Sequence, residues 1–317
     1  MFHLRERTIE TCGVTLQETY RQIYGNLHPE YADTINWAAN MALENIANSD
    51  APYHNLEHTT LVTLVGQEIL RGKHLQEASV KSEDWLHSII SLLCHDIGYL
   101  KGICREDRPK ERVYATGIAE ETITLAPGTT DASLTPFHID RGKRFVKKRF
   151  GNSPFINTDL LENNIELTRF PVPADRQHQS TTGYAALVRA ADLIGQLADP
   201  HYLQKLPALF HEFEETGAHR SLGYCHSGEL RADFPNFFWK VIPYIQPGLN
   251  YLSVTQRGQQ ILANLYANVF LVEHELLEAE LPSLPKLPER DEFCPSTLWQ
   301  ETTPWMDDSN ELLLSVY

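Results

Sequence analysis

Two imidazoles and two carboxylates in this chain form a set that can bind a metal ion. His58 ends the string YHNLEH, His95 and Asp96 are neighbours in CHDIG, and Asp192 lies in RAADL. A mixed set of nitrogen and oxygen ligands suits hard or borderline divalent ions and leaves coordination positions open for water. Because a divalent ion brings the pKa of bound water towards neutrality, these residues predict a hydrolytic metal site.

The adjacent pair His95 and Asp96 supports this prediction. It follows an apolar stretch, where two buried polar groups are costly unless they have partners. Coordination to a cation removes that cost. Asp96 can use both carboxylate oxygens, so it can bridge two ions. The sequence therefore predicts one or two divalent ions as cofactors, and it leaves open whether they are zinc, manganese, magnesium or iron.

Most segments around these residues have the spacing of apolar residues that is typical of helices. No run alternates apolar and polar residues as a β-strand does. Gly72 is expected to end the helix that starts near Asn55, and Pro109 and Pro136 are expected in the first turns of further helices. The predicted fold class is all-α, a compact multi-helix domain. The main predicted helices cover residues 29–46, 55–70, 82–93, 182–192, 200–215 and 254–280.

From Leu281 the composition changes. Proline recurs every third residue through Pro282, Pro285 and Pro288, which favours polyproline II geometry. Acidic residues outnumber basic ones in the rest of this segment. We therefore predict a helical domain over residues 1–280 and a Pro-rich acidic tail over 281–317 that is extended or partly disordered.

Composition narrows the choice of partners. The 317 residues carry a net charge of −15, which argues against nucleic acid as a partner. No apolar stretch approaches the length of a membrane-spanning helix. Five cysteines without paired metal-site spacing, and a charged start without an apolar segment, predict a reduced, cytoplasmic protein. The expected partner is a small molecule, and a homo-oligomer stays open.

The ligand types and their order resemble the HD superfamily of metal-dependent phosphohydrolases. Within it, the chain resembles the catalytic domain of class I cyclic-nucleotide phosphodiesterases over about residues 50–270. YHNLEH is similar to that family's Tyr-His-Asn-x-x-His signature, HDIG to its His-Asp segment and ADL to its last ligand segment. The string IELTRF is also similar, except that the family usually has Asp at the position of Arg169. The resemblance implies an HD/PDEase-like domain whose first ion is held by His58, His95, Asp96 and Asp192.

The resemblance also implies roles around the metal. A metal-bound hydroxide attacks a phosphodiester such as a cyclic nucleotide, Asp96 contacts both ions, and His54 donates a proton to the leaving oxygen without being a ligand. His138 ends a run similar to one near the family's second metal. Gln256 lies in TQRG, similar to the Ser-Gln-x-Gly segment that contacts the purine. Arg141, in a basic cluster near His138, is a candidate contact for substrate phosphate.

Other interpretations stay open from the sequence. HNLEH also fits the His-x-x-Glu-His string of a metalloprotease with Glu57 as the base, although this leaves His95, Asp96 and Asp192 without a role. His54 can instead be a helix-start residue that only orients its neighbours. The substrate can be a nucleotide or an alarmone instead of a cyclic nucleotide. An HD-type domain can also act as a di-iron oxygenase or bind a ligand without turnover.

Overall fold

The regular structure of this protein is almost entirely helical, and the predicted all-α class is confirmed. The structure, a computed structural model, describes residues 2–280. The two described β-strands, β1 (Val113–Ala115) and β2 (Thr122–Thr124), form one short antiparallel hairpin. The α-helices are α1 (Phe2–Tyr24), α2 (Pro29–Ile46), α3 (Leu56–Glu77), α4 (Ser82–Cys94), α5 (His138–Phe150), α6 (Thr158–Glu166), α7 (Gly183–Leu197), α8 (Tyr202–Thr216), α9 (Ala218–Leu222), α10 (Ser227–Ala232), α11 (Phe234–Leu252) and α12 (Gln256–Glu280).

Helix α4 lies among several other helices. Almost all of its side chains are buried, including Trp85, Ile89 and Leu93, and it contacts α2, α3, α6 and α7. A helix that is largely apolar on all sides is stable when it is surrounded in this way. Because His95 and Asp96 follow directly after the last residue of α4, both are placed in the interior.

The turn after α4 packs tightly against α5. A Cβ atom at Gly98 would lie 1.8 Å from the carbonyl oxygen of His138, so only glycine permits this approach. The contact brings His138, the first residue of α5, beside Tyr99. The two rings are stacked, with their centroids 4.4 Å apart.

Helix α3 is longer than the sequence predicted. It continues to Glu77, so the prediction that Gly72 ends it is wrong. At Gly72 a Cβ atom would lie 2.0 Å from the carbonyl oxygen of Tyr251 in α11. The glycine therefore serves the close packing of two helices instead of terminating one of them.

Prolines misled the prediction of helix positions. Pro109 begins only a single 3-10 turn, and Pro136 lies inside a 3-10 segment that precedes α5. Conversely, α11 continues through Pro243 and Pro247, although proline lacks the N–H group of a helix interior and crowds the preceding turn. Packing of α11 on α3 and α7 offsets this local cost.

The compact unit that carries α1 to α11 ends at Leu276. All four predicted metal ligands belong to it. None of the described helices combines the length and the apolar character that crossing a membrane requires. The predicted tail, residues 281–317, lies outside the described residues.

Candidate metal centre

The four predicted ligands converge in the structure. The Nε2 atom of His58 lies 3.3 Å from Asp96 Oδ2 and 3.6 Å from Asp192 Oδ1. The Nε2 atom of His95 lies 3.1 Å and 3.5 Å from the same two oxygens. One ligand atom each from His58, His95 and Asp192 falls within 4.8 Å of the others. Residues that are up to 134 positions apart in the chain (192 − 58) therefore face one point.

Local structure orients the two histidines. The side chain of Asn55 caps α3 by accepting hydrogen bonds from the backbone N–H groups of Glu57 (3.0 Å) and His58 (3.4 Å), which fixes His58 in the first turn. His95 Nδ1 lies 2.7 Å from the carbonyl oxygen of Leu92. Because a carbonyl only accepts, Nδ1 carries a proton, and Nε2 is the ring nitrogen that faces the cluster and would ligate a metal once it is deprotonated.

Two atoms of the cluster are buried without a hydrogen-bond partner. They are His95 Nε2 and Asp96 Oδ2, which lie close together but are not aligned for a hydrogen bond. His95 is 1% and Asp96 7% exposed. An unpaired buried polar group costs about 1–3 kcal/mol. A cation ligated by both atoms would remove this cost, so the residues present fit a metal ion.

The charges of the cluster also favour a cation. Burial alone would lower the pKa of His95, but Asp96 and Asp192 raise it well above its usual value. Burial alone would raise the pKa of Asp192, but His95 and His58 lower it to about 2. Burial likewise opposes ionisation of Asp96, whose pKa the charge of His95 and a contact with His58 hold well below its usual range. Both carboxylates are therefore ionised at neutral pH.

His54 lies beside this cluster and is held by Glu212. Its Nδ1 atom forms a short hydrogen bond with Glu212 Oε2, while Glu212 Oε1 accepts from the backbone N–H groups of Tyr53 (2.7 Å) and His54 (3.1 Å). The His54 ring stacks on Tyr99, with centroids 4.6 Å apart. Burial alone would lower the pKa of His54, but Glu212, aided by Asp96 and Asp192, raises it to about 9.

Glu57 points away from the cluster. Its side chain is 61% exposed and forms an ion pair with Lys205 at 2.8 Å. The metalloprotease interpretation needs this carboxylate next to a metal held by His54 and His58. In the structure the carboxylates that approach His58 belong to Asp96 and Asp192 instead.

Arg141 is not placed for contact with a substrate. Its side chain is fully buried. The guanidinium donates to both carboxylate oxygens of Asp107 and to the carbonyl oxygens of Gly98, Leu100 and Ala115. These bonds engage all three of its nitrogens. Arg141 therefore fixes the loop after α4, and its position contradicts the predicted phosphate contact.

The other two predicted substrate contacts, His138 and Gln256, differ in whether they line the cavity beside the cluster. His138 lines the cavity described below. Gln256 is exposed at the start of α12 and does not line that cavity. In the same string, the buried hydroxyl of Thr255 bonds Glu68 and accepts from the N–H of Gly258 at 3.0 Å. The string therefore begins α12, and the structure does not bring Gln256 to the cluster.

A cavity of about 360 Å³ opens beside the cluster, a size suited to a small molecule. Asp96, Asp192, His54 and Glu212 lie in one part of its wall. Its other walls are mostly apolar and aromatic. They are formed by Tyr99, Thr135, His138, Thr168, Phe170, Leu193, Gln196, Tyr202, Leu209, Phe213, Leu222, Tyr224, Leu230, Asp233, Phe234, Asn236, Phe237 and Lys240.

Glu212 was missed by the sequence analysis, although one signal was present. It lies three residues after Leu209 in α8, and both side chains are buried. Residues three apart share a helix face, and an unpaired glutamate is rarely fully buried. An acid on an apolar helix face thus indicates a partner, but nothing local identifies His54, which is 158 residues away.

Fold and site together define an all-α protein with a buried His/Asp cluster that can hold a metal ion. The chain belongs to the Npun_R2479-like family, which it matches over residues 2–275. This range includes the four clustered residues, His54 and Glu212. No curated protein matches the sequence.

Proposed function

We propose that this protein is a metal-dependent phosphohydrolase that acts on a phosphodiester such as a cyclic nucleotide. The observation that carries the proposal is the position of the His54–Glu212 pair beside the His/Asp cluster, in the wall of one cavity. A His/Asp cluster that can hold a metal ion is, by itself, compatible with many functions. A histidine beside it, kept protonated by a buried carboxylate, fits an enzyme that must protonate a leaving group.

His58, His95, Asp96 and Asp192 would hold the first ion, and Asp96 could also contact a second. When bound, such an ion supplies activated water and neutralises charge on phosphate oxygens. Asp96 and Asp192 line the cavity, whereas His58 and His95 do not. A phosphate group in the cavity would therefore meet the carboxylate side of the centre.

His54 would donate a proton to the oxygen that leaves phosphorus. Glu212 occupies its Nδ1 atom, which leaves Nε2 to act on the substrate. The charge of Glu212 and its hydrogen bond raise the pKa of His54, which favours the protonated ring that a general acid needs. Glu212 also bonds two backbone N–H groups, so the pair is fixed before substrate binds.

The proposed activity can be tested with a chromogenic diester. Purified protein supplied with Mn²⁺ or Mg²⁺ is expected to hydrolyse bis(p-nitrophenyl) phosphate, to lose this activity with a chelator, and to leave casein intact. The variant Glu57→Gln should retain the activity, because Glu57 faces Lys205 and not the cluster. A screen of cyclic nucleotides, nucleotides and alarmones then identifies the natural class.

Three results would contradict the proposal, each in favour of an alternative. Peptide hydrolysis that depends on Glu57 would indicate a protease. Iron-dependent oxygen consumption would indicate an oxygenase. Tight binding of a phosphorylated ligand by metal-loaded protein, without turnover, would indicate a binding module.

A further inference from the structure

A second cavity lies at the opposite end of α5 from His138. Its volume is about 500 Å³, within the range of small-molecule sites. One wall is formed by the loop of residues 102–106, and the other by residues 144–152, at the end of α5 and just after it. None of the described residues that line this cavity lines the one beside the His/Asp cluster. Lys148 in the second cavity comes ten residues after His138 (148 − 138), or roughly 15 Å along the helix.

The charged side chains of this second cavity are mainly basic. Arg105 comes from the loop, and Arg144, Lys148 and Arg149 come from α5. The one acid among the described lining residues is Glu106. Four cations and one carboxylate leave a formal charge of +3, in a chain whose net charge is −15. We call this site the basic cavity.

Two lysines of α5 that lie outside the basic cavity have acidic partners. Lys143 pairs with Asp140 at 2.8 Å, and Lys147 pairs with Glu162 at 3.3 Å. Lys148, which lines the cavity, forms no ion pair and no side-chain hydrogen bond with the part of the chain that the structure describes. The lysine that faces the cavity is thus the one left without an acid.

The three arginines of the basic cavity differ in their contacts. Arg144 pairs with Glu106 at 3.0 Å. Arg149 lies over the ring of Trp37, with its guanidinium carbon 4.9 Å from the ring centroid, and this stacking leaves its N–H groups free to donate. Arg105 has no ion pair with any described residue. Together with Lys148, Arg105 and Arg149 are exposed, so three cations without an acidic partner are available to a ligand from solvent.

Both walls are held in place without a ligand. Asp107 Oδ2 accepts hydrogen bonds from the backbone N–H groups of Gly102 (2.8 Å) and Cys104 (3.3 Å), and the same carboxylate is paired with buried Arg141. These bonds fix the loop that carries Arg105. On the other wall, the C-terminal end of a helix favours cations, so the last turn of α5 accommodates its unpaired charges. A site whose donors are already positioned loses less entropy when it binds.

We propose that the basic cavity binds a small phosphorylated molecule that carries at least two negative charges. Arginine and lysine bind phosphate through charge-assisted hydrogen bonds. Because the cations come from both walls, a tetrahedral phosphate group can accept from each side, whereas a planar carboxylate presents its oxygens in one plane. The inference is independent of the proposed function, since no residue of the metal centre takes part.

Calorimetric titration of the full chain tests this site. The probes are inorganic tripolyphosphate, citrate and dimethyl phosphate, each added to protein from which metal and chelator have been removed. One tripolyphosphate per chain is expected to bind, at least about tenfold more tightly than singly charged dimethyl phosphate, and more tightly than citrate, which carries its charges on carboxylates. The affinity for tripolyphosphate should fall as salt rises, because exposed charges are screened.

Matched variants locate the binding. Lys148→Ala is expected to weaken tripolyphosphate binding by about tenfold, the loss typical of a hydrogen bond to a charged group. Lys147→Ala removes the same charge from the neighbouring exposed residue, which does not line the basic cavity, and should change the affinity by less than about twofold. Arg105→Ala, on the opposite wall, provides a second variant with the same expected loss as Lys148→Ala.

Several outcomes would overturn the inference. They are absence of tripolyphosphate binding, equal losses in Lys147→Ala and Lys148→Ala, and parental affinity in both Lys148→Ala and Arg105→Ala. Tighter binding of citrate than of tripolyphosphate would contradict the phosphate class. Asp96→Ala should bind tripolyphosphate as the parent does, because Asp96 does not line the basic cavity. Loss of binding in that variant would assign the anion to the metal centre instead.

Discussion

Replacing Asp96 with alanine is expected to remove most bound metal and nearly all hydrolytic activity. Asp96 Oδ2 lies within 3.3 Å of both His58 Nε2 and His95 Nε2, and the second oxygen of Asp96 could serve another ion. Loss of a partner that only orients a ligand typically costs about 10–100-fold in metal affinity or activity. Loss of a ligand should cost more than about 100-fold. Elemental analysis and diester hydrolysis of the purified variant measure both effects.

The matched control for Asp96→Ala is Glu57→Ala. Glu57 is the sequence neighbour of the predicted ligand His58, but its carboxylate is exposed and paired with Lys205. This control should keep its metal and its rate. A folded Asp96→Ala protein with unchanged metal content would show that the cluster is not the metal site.

Replacing His54 with asparagine is expected to leave the metal in place and slow the reaction. Removing a general acid costs roughly 10²–10⁴-fold. The loss should be largest for an alkyl diester, whose leaving oxygen needs a proton, and smallest for bis(p-nitrophenyl) phosphate, whose leaving group is stable as an anion. Metal content, melting temperature and rates on both substrates, measured on one variant, test this role.

Glu212→Gln provides the matched test of the pair. It preserves the shape of the side chain but removes the charge that raises the pKa of His54. Because a lower pKa leaves less His54 protonated at neutral pH, the rate on an alkyl diester should fall and its optimum should move to lower pH. Metal content of Glu212→Gln should not change.

Two results for His54→Asn would contradict the general-acid role. Loss of metal would show that His54 is a ligand, and a normal rate with a lowered melting temperature would show that His54 is structural.

The sequence predicted the four clustered residues from motifs similar to those of a known family, and it predicted the helices that carry them from local signals. His58 follows an asparagine that can cap a helix, His95 and Asp96 follow an apolar helix, and Asp192 lies within a helical pattern. Helix caps and apolar periodicity depend on neighbouring residues alone. The positions of α3, α4 and α7 could therefore be predicted, and the predicted metal site was the reason to expect that their His and Asp side chains meet.

The rest of the site depends on contacts that no local pattern encodes. Glu212 reaches His54 across 158 residues, and α11, which carries part of the aromatic wall, contains prolines that argue against a helix. Arg141 was expected to bind phosphate from its charge, but its guanidinium is used to hold the loop after α4. A basic residue that is close in sequence to a site can stabilise the fold instead of binding a ligand. Only its contacts in the structure distinguish these two roles.

The position of a bound metal ion distinguishes the proposed centre from any other site. Crystals grown with Mn²⁺ should show an anomalous scattering peak between His58, His95, Asp96 and Asp192, with ligand distances of roughly 2.0–2.4 Å. A second cluster, formed by Glu57, Asp199 and His201, provides an internal comparison. A peak at the first cluster would support the proposed centre. A peak only at the second, or none at the first with its four side chains ordered, would contradict it.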